Sequence, residues 1–317
     1  MRPVLSLALT LAACSDPPAT PVDAAVDAAP LPTALPARLS ENGLYADLAT
    51  KQLAPGLVEF TPANALWSDA AVKRRWLALP AGAVIDSADM DHWRFPVGTR
   101  LFKEFARDGK RLETRLIWRV GDRGDFERDT LVGAYVWNDD ESEAVLAVGG
   151  AVDVRGTDHD VPAADTCWRC HVGEPGHVLG YAALQLGDLT GVPLSHPPPA
   201  GTTYAAPHPA LGYLHANCGH CHNPEGSAWA SSGMVLRLDV DERDAATTQL
   251  ARTTIGVRLQ QWIDRGYEFR VVAGDPAASA VLFRMTQRTV NVQMPPLATE
   301  HQDDAGVALV RTWIEAL

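Results

Sequence analysis

The chain has no tract of Lys or Arg: 27 basic residues are scattered among 39 acidic ones, giving a net charge of 27 − 39 = −12. Nucleic acid and anionic membrane surfaces are held by basic faces, so this balance argues against both as partners. It suits solubility and leaves a basic redox partner as an option. The chain also lacks a permanent membrane span, because the apolar run at residues 4–11 falls well short of the roughly 20 residues a helix needs to cross a bilayer. Spare cysteine is missing too. Of the five cysteines, four fall in two C-x-x-C pairs, leaving Cys14 alone. At 317 residues, with 46% hydrophobic and 21% charged residues, the chain has room for two ordinary domains with cores.

The N-terminus has the order of a secretory signal: Arg2, the apolar run, then small residues. Leu11-Ala12-Ala13-Cys14 resembles the lipobox of bacterial lipoproteins. This reading makes residues 1–13 a signal peptide and Cys14 a lipidated first residue, with several acyl chains giving stable anchoring. Ser15 then implies release to the outer membrane, so the protein is expected on its periplasmic face, or in the periplasm if the signal is an ordinary cleaved one. Residues 14–36, nearly all Ala, Pro, Asp and Thr, cannot bury a core and read as a tether.

Each C-x-x-C pair is followed at once by His: Cys167, Cys170 and His171, then Cys218, Cys221 and His222. On a helix, residues three and four apart share a face, so two thiols can meet the vinyl groups of a haem while the imidazole reaches its iron. Both motifs therefore point to covalently bound c-type haem. A Cys₄ zinc site across the pairs and disulfides within them are the alternatives, and the disulfide reading leaves the two adjacent histidines unexplained.

Around the second motif, a helix-compatible run from Leu211 leads into Cys218, a helix is expected at residues 277–288, and another begins at Asp303. Val307, Val310, Ile314 and Leu317 line one face of that last helix. Met294, fixed before Pro295 on a stiff loop, is placed to ligate iron opposite His222. His215 and His220 read as solvent-facing or hydrogen-bonded helix residues. The first half reads as β-rich: Asp108-Gly109 marks a hairpin, and Leu112, Thr114, Leu116, Trp118 and Val120 alternate with Glu113, Arg115 and Arg119, giving one core and one solvent face. For the sixth ligand at the first motif the candidates are Met90, His92, His159, His177 and His196.

"LWSD" (66–69), "FPVGTRLFKEF" (95–105), "ETRL" (113–116), "YVWN" (135–138), "YLHANCGHCH" (213–222) and "MPPL" (294–297), with both haem motifs, together resemble exported dihaem c-type cytochromes with a β-rich N-terminal half. The likeness covers most of residues 40–317. The "FPVGTRLFKEF" segment also resembles one in small β-rich haem proteins that oxidise hydroxylamine, but that segment alone carries no activity across. The expected fold is α+β and multidomain: a β-rich domain at 37–194, a linker at 195–209, and an all-α cytochrome c-like domain at 210–317. The expected cofactors are two c-type haems, held by Cys167, Cys170 and His171 and by Cys218, Cys221, His222 and Met294. The expected function is one-electron transfer to or from a redox protein or small molecule. A haem enzyme with an open first haem, and a partner-binding lipoprotein with a structural haem, are the alternatives.

Overall fold

The computed structural model describes residues 30–261 and 266–317. Its first strands are a short antiparallel pair, β1 (Tyr45–Asp47) and β2 (Gln52–Leu53). Then β3 (Leu57–Glu59), β4 (Val72–Ala78), β5 (Arg100–Arg107), β6 (Lys110–Arg119), β7 (Thr130–Trp137) and β8 (Ala144–Leu146) form a six-stranded antiparallel meander in chain order. Asp108 and Gly109 take φ of 52° and 75° and turn β5 into β6. A two-residue hairpin loop needs such left-handed residues to match the strand twist, which is why Asp-Gly predicts it.

The sheet is buried on both faces. Trp76, Phe102, Leu116, Tyr135 and Trp137 project to one side and pack on Leu39, Leu44 and Tyr45 from the N-terminal layer. Leu77 and Leu101, with Ile117 beside them, project to the other and pack with Trp93, Phe95 and Tyr181. The sequence alternation in β6 predicts a solvent face through Glu113 and Arg115, yet Glu113 is fully buried. The segment carrying the first cysteine pair covers that face, so its charged residues meet one another rather than water.

The expected all-α domain at 210–317 is not there. The large sheet dominates the fold. The helices α1 (Phe126–Asp129), α2 (Trp168–His171), α3 (Ala183–Leu186), α4 (Pro209–Leu214), α5 (Trp229–Ser232), α6 (Gln249–Thr254) and α7 (Ala280–Met285) span one or two turns each. Among the described residues only α8 (Asp304–Glu315) is longer; Asp303 caps it by accepting from Gly306 N, and Val307, Val310, Trp313 and Ile314 are its buried stripe while Leu317 is exposed. Apart from α6, the described residues between α5 and α7 run through turns and isolated bridges such as Ile255 with Val271 and Arg258 with Phe269. Gly233, Gly256, Gly274 and Pro276 interrupt this stretch, and Gly and Pro end helices before they can lengthen.

Residues 32–317 form one unit. Much of its long-range bonding runs through "LWSD": the Trp67 amide donates to Asn217 Oδ1 (2.7 Å), and its indole to the His301 carbonyl (3.1 Å). The buried Asp69 carboxylate accepts from the amides of Glu300 and His301, both at 2.9 Å. Residues 195–209 cross between the layers, where Tyr204 packs on two apolar cores and its amide donates to the Gly187 carbonyl.

Candidate functional site

The first motif sits on a single helical turn. Cys167 leads α2, and the amides of Cys170 and His171 both donate back to its carbonyl, 3.2 Å away. The chain then turns at Gly176 (φ 62°), where a Cβ would lie 2.8 Å from the Phe95 ring and the Trp93 carbonyl. That turn returns the His177 carbonyl to His171 Nδ1 at 2.9 Å. A carbonyl only accepts, so Nδ1 carries the proton and Nε2 keeps its lone pair free for a ligand. Burial lowers the His171 pKa to about 4, keeping the ring neutral. Phe126 stacks on it with planes 13° apart.

The second motif follows α4 through a wider π turn at His215–Gly219. Gly219 allows the backbone at Leu236 and Arg237 to approach; a Cβ there would meet it at 3.0 Å. His222 Nδ1 lies 3.1 Å from Ser232 Oγ, whose hydroxyl donates to the Ala228 carbonyl at 2.7 Å. Ser232 therefore accepts from Nδ1, again leaving Nε2 free. Burial lowers the His222 pKa to about 4. The Asn223 side-chain amide binds the two motifs together, donating to the carbonyls of Gly173 (3.1 Å) and Gly219 (2.7 Å).

Each motif borders its own cavity. One of about 500 Å³ is lined by Cys218, Cys221 and His222 together with Leu236, Phe283 and Met294. The other, about 150 Å³, is lined by Cys167, Cys170 and His171 with Lys103, Arg115 and His159. Cys170 and His220 border both. The ligand atoms of Cys170, His220 and Cys221 all lie within 4.8 Å of one another, a set able to hold a metal ion. A hydrogen bond with Cys221, opposed by burial and helped by His220, lowers the Cys170 thiol to about 3, and burial raises Cys218 to about 12.

Sequence reasoning missed His220, although its place between the cysteines of C-G-H-C-H was the available signal. It is buried and its Nδ1 has no partner. His215 is half-buried, with Nδ1 accepting from the Leu238 amide at 3.0 Å. Of the five sixth-ligand candidates, only His159 lines the first motif's cavity, and its Nε2 is 2.8 Å from Glu113. His177 is engaged with the His171 carbonyl at 3.1 Å, while His92 and His196 are exposed beside Asp89 and Ser195. Met90 borders a separate cavity of about 50 Å³.

Cys14, the signal peptide and the tether up to residue 29 lie outside the described residues. Among the described residues no helix is long and apolar enough to cross a membrane. No family model, curated protein or solved structure matches the chain.

Proposed function

We propose that the protein is a dihaem c-type cytochrome that transfers single electrons. The observation that carries this reading is that each C-x-x-C-H borders its own cavity with its imidazole Nε2 left free, while the two motifs meet at Cys170 and Cys221. Cys218 and Cys221 would hold one haem, with His222 and Met294 toward its iron; Cys167 and Cys170 would hold the other, with His171 toward its iron. When bound, each haem supplies a couple between ferric and ferrous iron.

The larger cavity lies within the roughly 300–1,000 Å³ usual for cofactor pockets. At the first motif about 150 Å³ is below that range, so loading there displaces lining side chains. His171 and His222 are oriented through Nδ1 by groups outside their motifs, a contact that raises ligand basicity and fixes the ring. The expected lipidation of Cys14 would place this chemistry at the periplasmic face of the outer membrane, with a redox protein or small molecule as partner.

The convergence of Cys170, His220 and Cys221 favours a second reading, a Cys₂His metal site such as zinc. Producing the full chain in a haem-c-maturing host separates the two. Two covalent haems per chain are expected, and Met294→Ala is expected to open one iron to carbon monoxide and lower its potential. Stoichiometric zinc without covalent haem would replace the first reading with the second.

A further inference from the structure

The sheet face turned toward the first motif carries a row of three cations. Arg75 on β4 pairs across to Lys103 on β5, and Lys103 pairs across to Arg115 on β6, so the three stand side by side on neighbouring strands. Like charges directly opposite on a sheet destabilise it, and a buried charge without a partner costs more still. Arg115 is compensated: both its Nε and Nη2 grip Glu113, at 2.8 and 2.6 Å. Glu113 is also shared with His159. One carboxylate thus stands against three basic side chains, and burial with the charges of Arg75 and Arg115 pushes the unpaired Lys103 ammonium toward its neutral form.

Arg75 and Lys103 are left over. Arg75 is 6% exposed, and neither its guanidinium nor the Lys103 ammonium makes a hydrogen bond or ion pair among the described residues. Lys103 Nζ lies 4.7 Å from the centroid of the Phe105 ring, which Arg115 also approaches, and a ring face shared by two cations offsets little. Both border the cavity of Cys167, Cys170 and His171, whose lining includes no carboxylate. Asp91 and Glu174 border the small cavity on the other side of Arg75 and Lys103, without bonding either of them. The Asp91 carbonyl takes Arg237 instead, its carboxylate accepts from the Val240 amide, and burial pushes Glu174 toward its neutral form. Lys73, the next cation on this face, donates to the Leu66 carbonyl near Asp69 and Asp303.

We propose that Arg75 and Lys103, with Arg115 beside them, form an anion site that holds a carboxylate or small oxyanion in the chamber of the first motif. A planar anion there receives guanidinium donors and the ammonium charge together, and restores neutrality to the row. Two sources offer this chemistry. One is the carboxylate side chain of a bound haem, which rests on the reading above; the other is a free anion entering as substrate or ligand.

The haem-matured full chain is titrated calorimetrically with sodium nitrite and with sodium acetate at low ionic strength. Wild type, Lys103→Met and Arg75→Gln are compared, with haem per chain and the thermal midpoint measured in each. A free anion predicts one site in wild type that weakens at least tenfold in either variant. A haem carboxylate predicts no titratable binding and a midpoint that falls in both variants, but only in preparations that carry haem. No binding together with an unchanged or raised midpoint overturns the proposal, since an empty row is relieved by losing a charge. A chain without haem that still binds nitrite through Lys103 keeps the anion site and removes the haem reading.

Discussion

The two chambers hold the same three-residue motif, one with basic side chains bonded to backbone carbonyls and the other with Arg75 and Lys103 unpaired among the described residues. Around His222 the wall carries Leu236, Phe283 and the Met294 thioether, and its Arg270 and Arg284 side chains donate to backbone carbonyls. Around His171 it is a sheet face bearing Arg75, Lys103 and Arg115, with His159 alongside. A soft thioether in the wall could complete the coordination of an iron, as an electron carrier needs. A cationic wall instead attracts an anion beside the cofactor. On the dihaem reading, the motif would fix which group is attached and the wall what that group can do.

The strongest way to break this contrast is to remove one attachment. With Cys218→Ala and Cys221→Ala together, covalent haem is expected to fall from two per chain to one, by haem quantification. A fall to none would show that the chambers do not load independently. Next comes the strap from Asp69 to residues 300 and 301, whose neighbours border both chambers. Asp69→Ala removes a buried carboxylate that receives two backbone amides, at an expected cost on the order of 3 kcal/mol in denaturant unfolding. It should loosen the Met294 loop, and because Trp67, Ser68 and Thr299 line the His171 chamber, the spectra of both motifs are expected to shift.

The smallest effect is on the cationic side. Burial raises the Glu113 carboxyl, but Arg115 and the His159 hydrogen bond outweigh it and bring the pKa from 4.5 to about 2. The unfolded chain therefore takes up this proton first on acidification. The stabilisation is complete above about pH 4.5 and is lost as the pH falls toward 2. In Glu113→Gln the unfolding midpoint should depend less steeply on pH across that window, and the protein should be less stable at neutral pH with Arg115 unmatched.

Local chemistry was the legible part of the sequence. Asp108-Gly109 announced its hairpin, the stripe from Val307 to Ile314 announced α8, and the two C-x-x-C-H motifs announced themselves by spacing. What lay beyond reach depends on distant pairing. Glu113 and Arg115 read as a solvent face because alternation shows that a strand has two sides but not what covers each. Asp69 carried no sign of its partners at Glu300 and His301, 231 and 232 residues away. The all-α expectation extended three helical signals across a stretch that Gly and Pro break into turns.

The nearness of Cys170 to Cys221 also bears on how the protein matures. Both are free thiols, each from a different motif, with Cys221 also donating to the Arg169 carbonyl at 3.1 Å. Two thiols this close are the natural partners for a cystine in an oxidising compartment, and one formed here would block both motifs at once. A thioether on either sulfur ends that competition for both. On the dihaem reading, the first cofactor attached would protect the place of the second, and an export route would have to deliver Cys170 and Cys221 reduced.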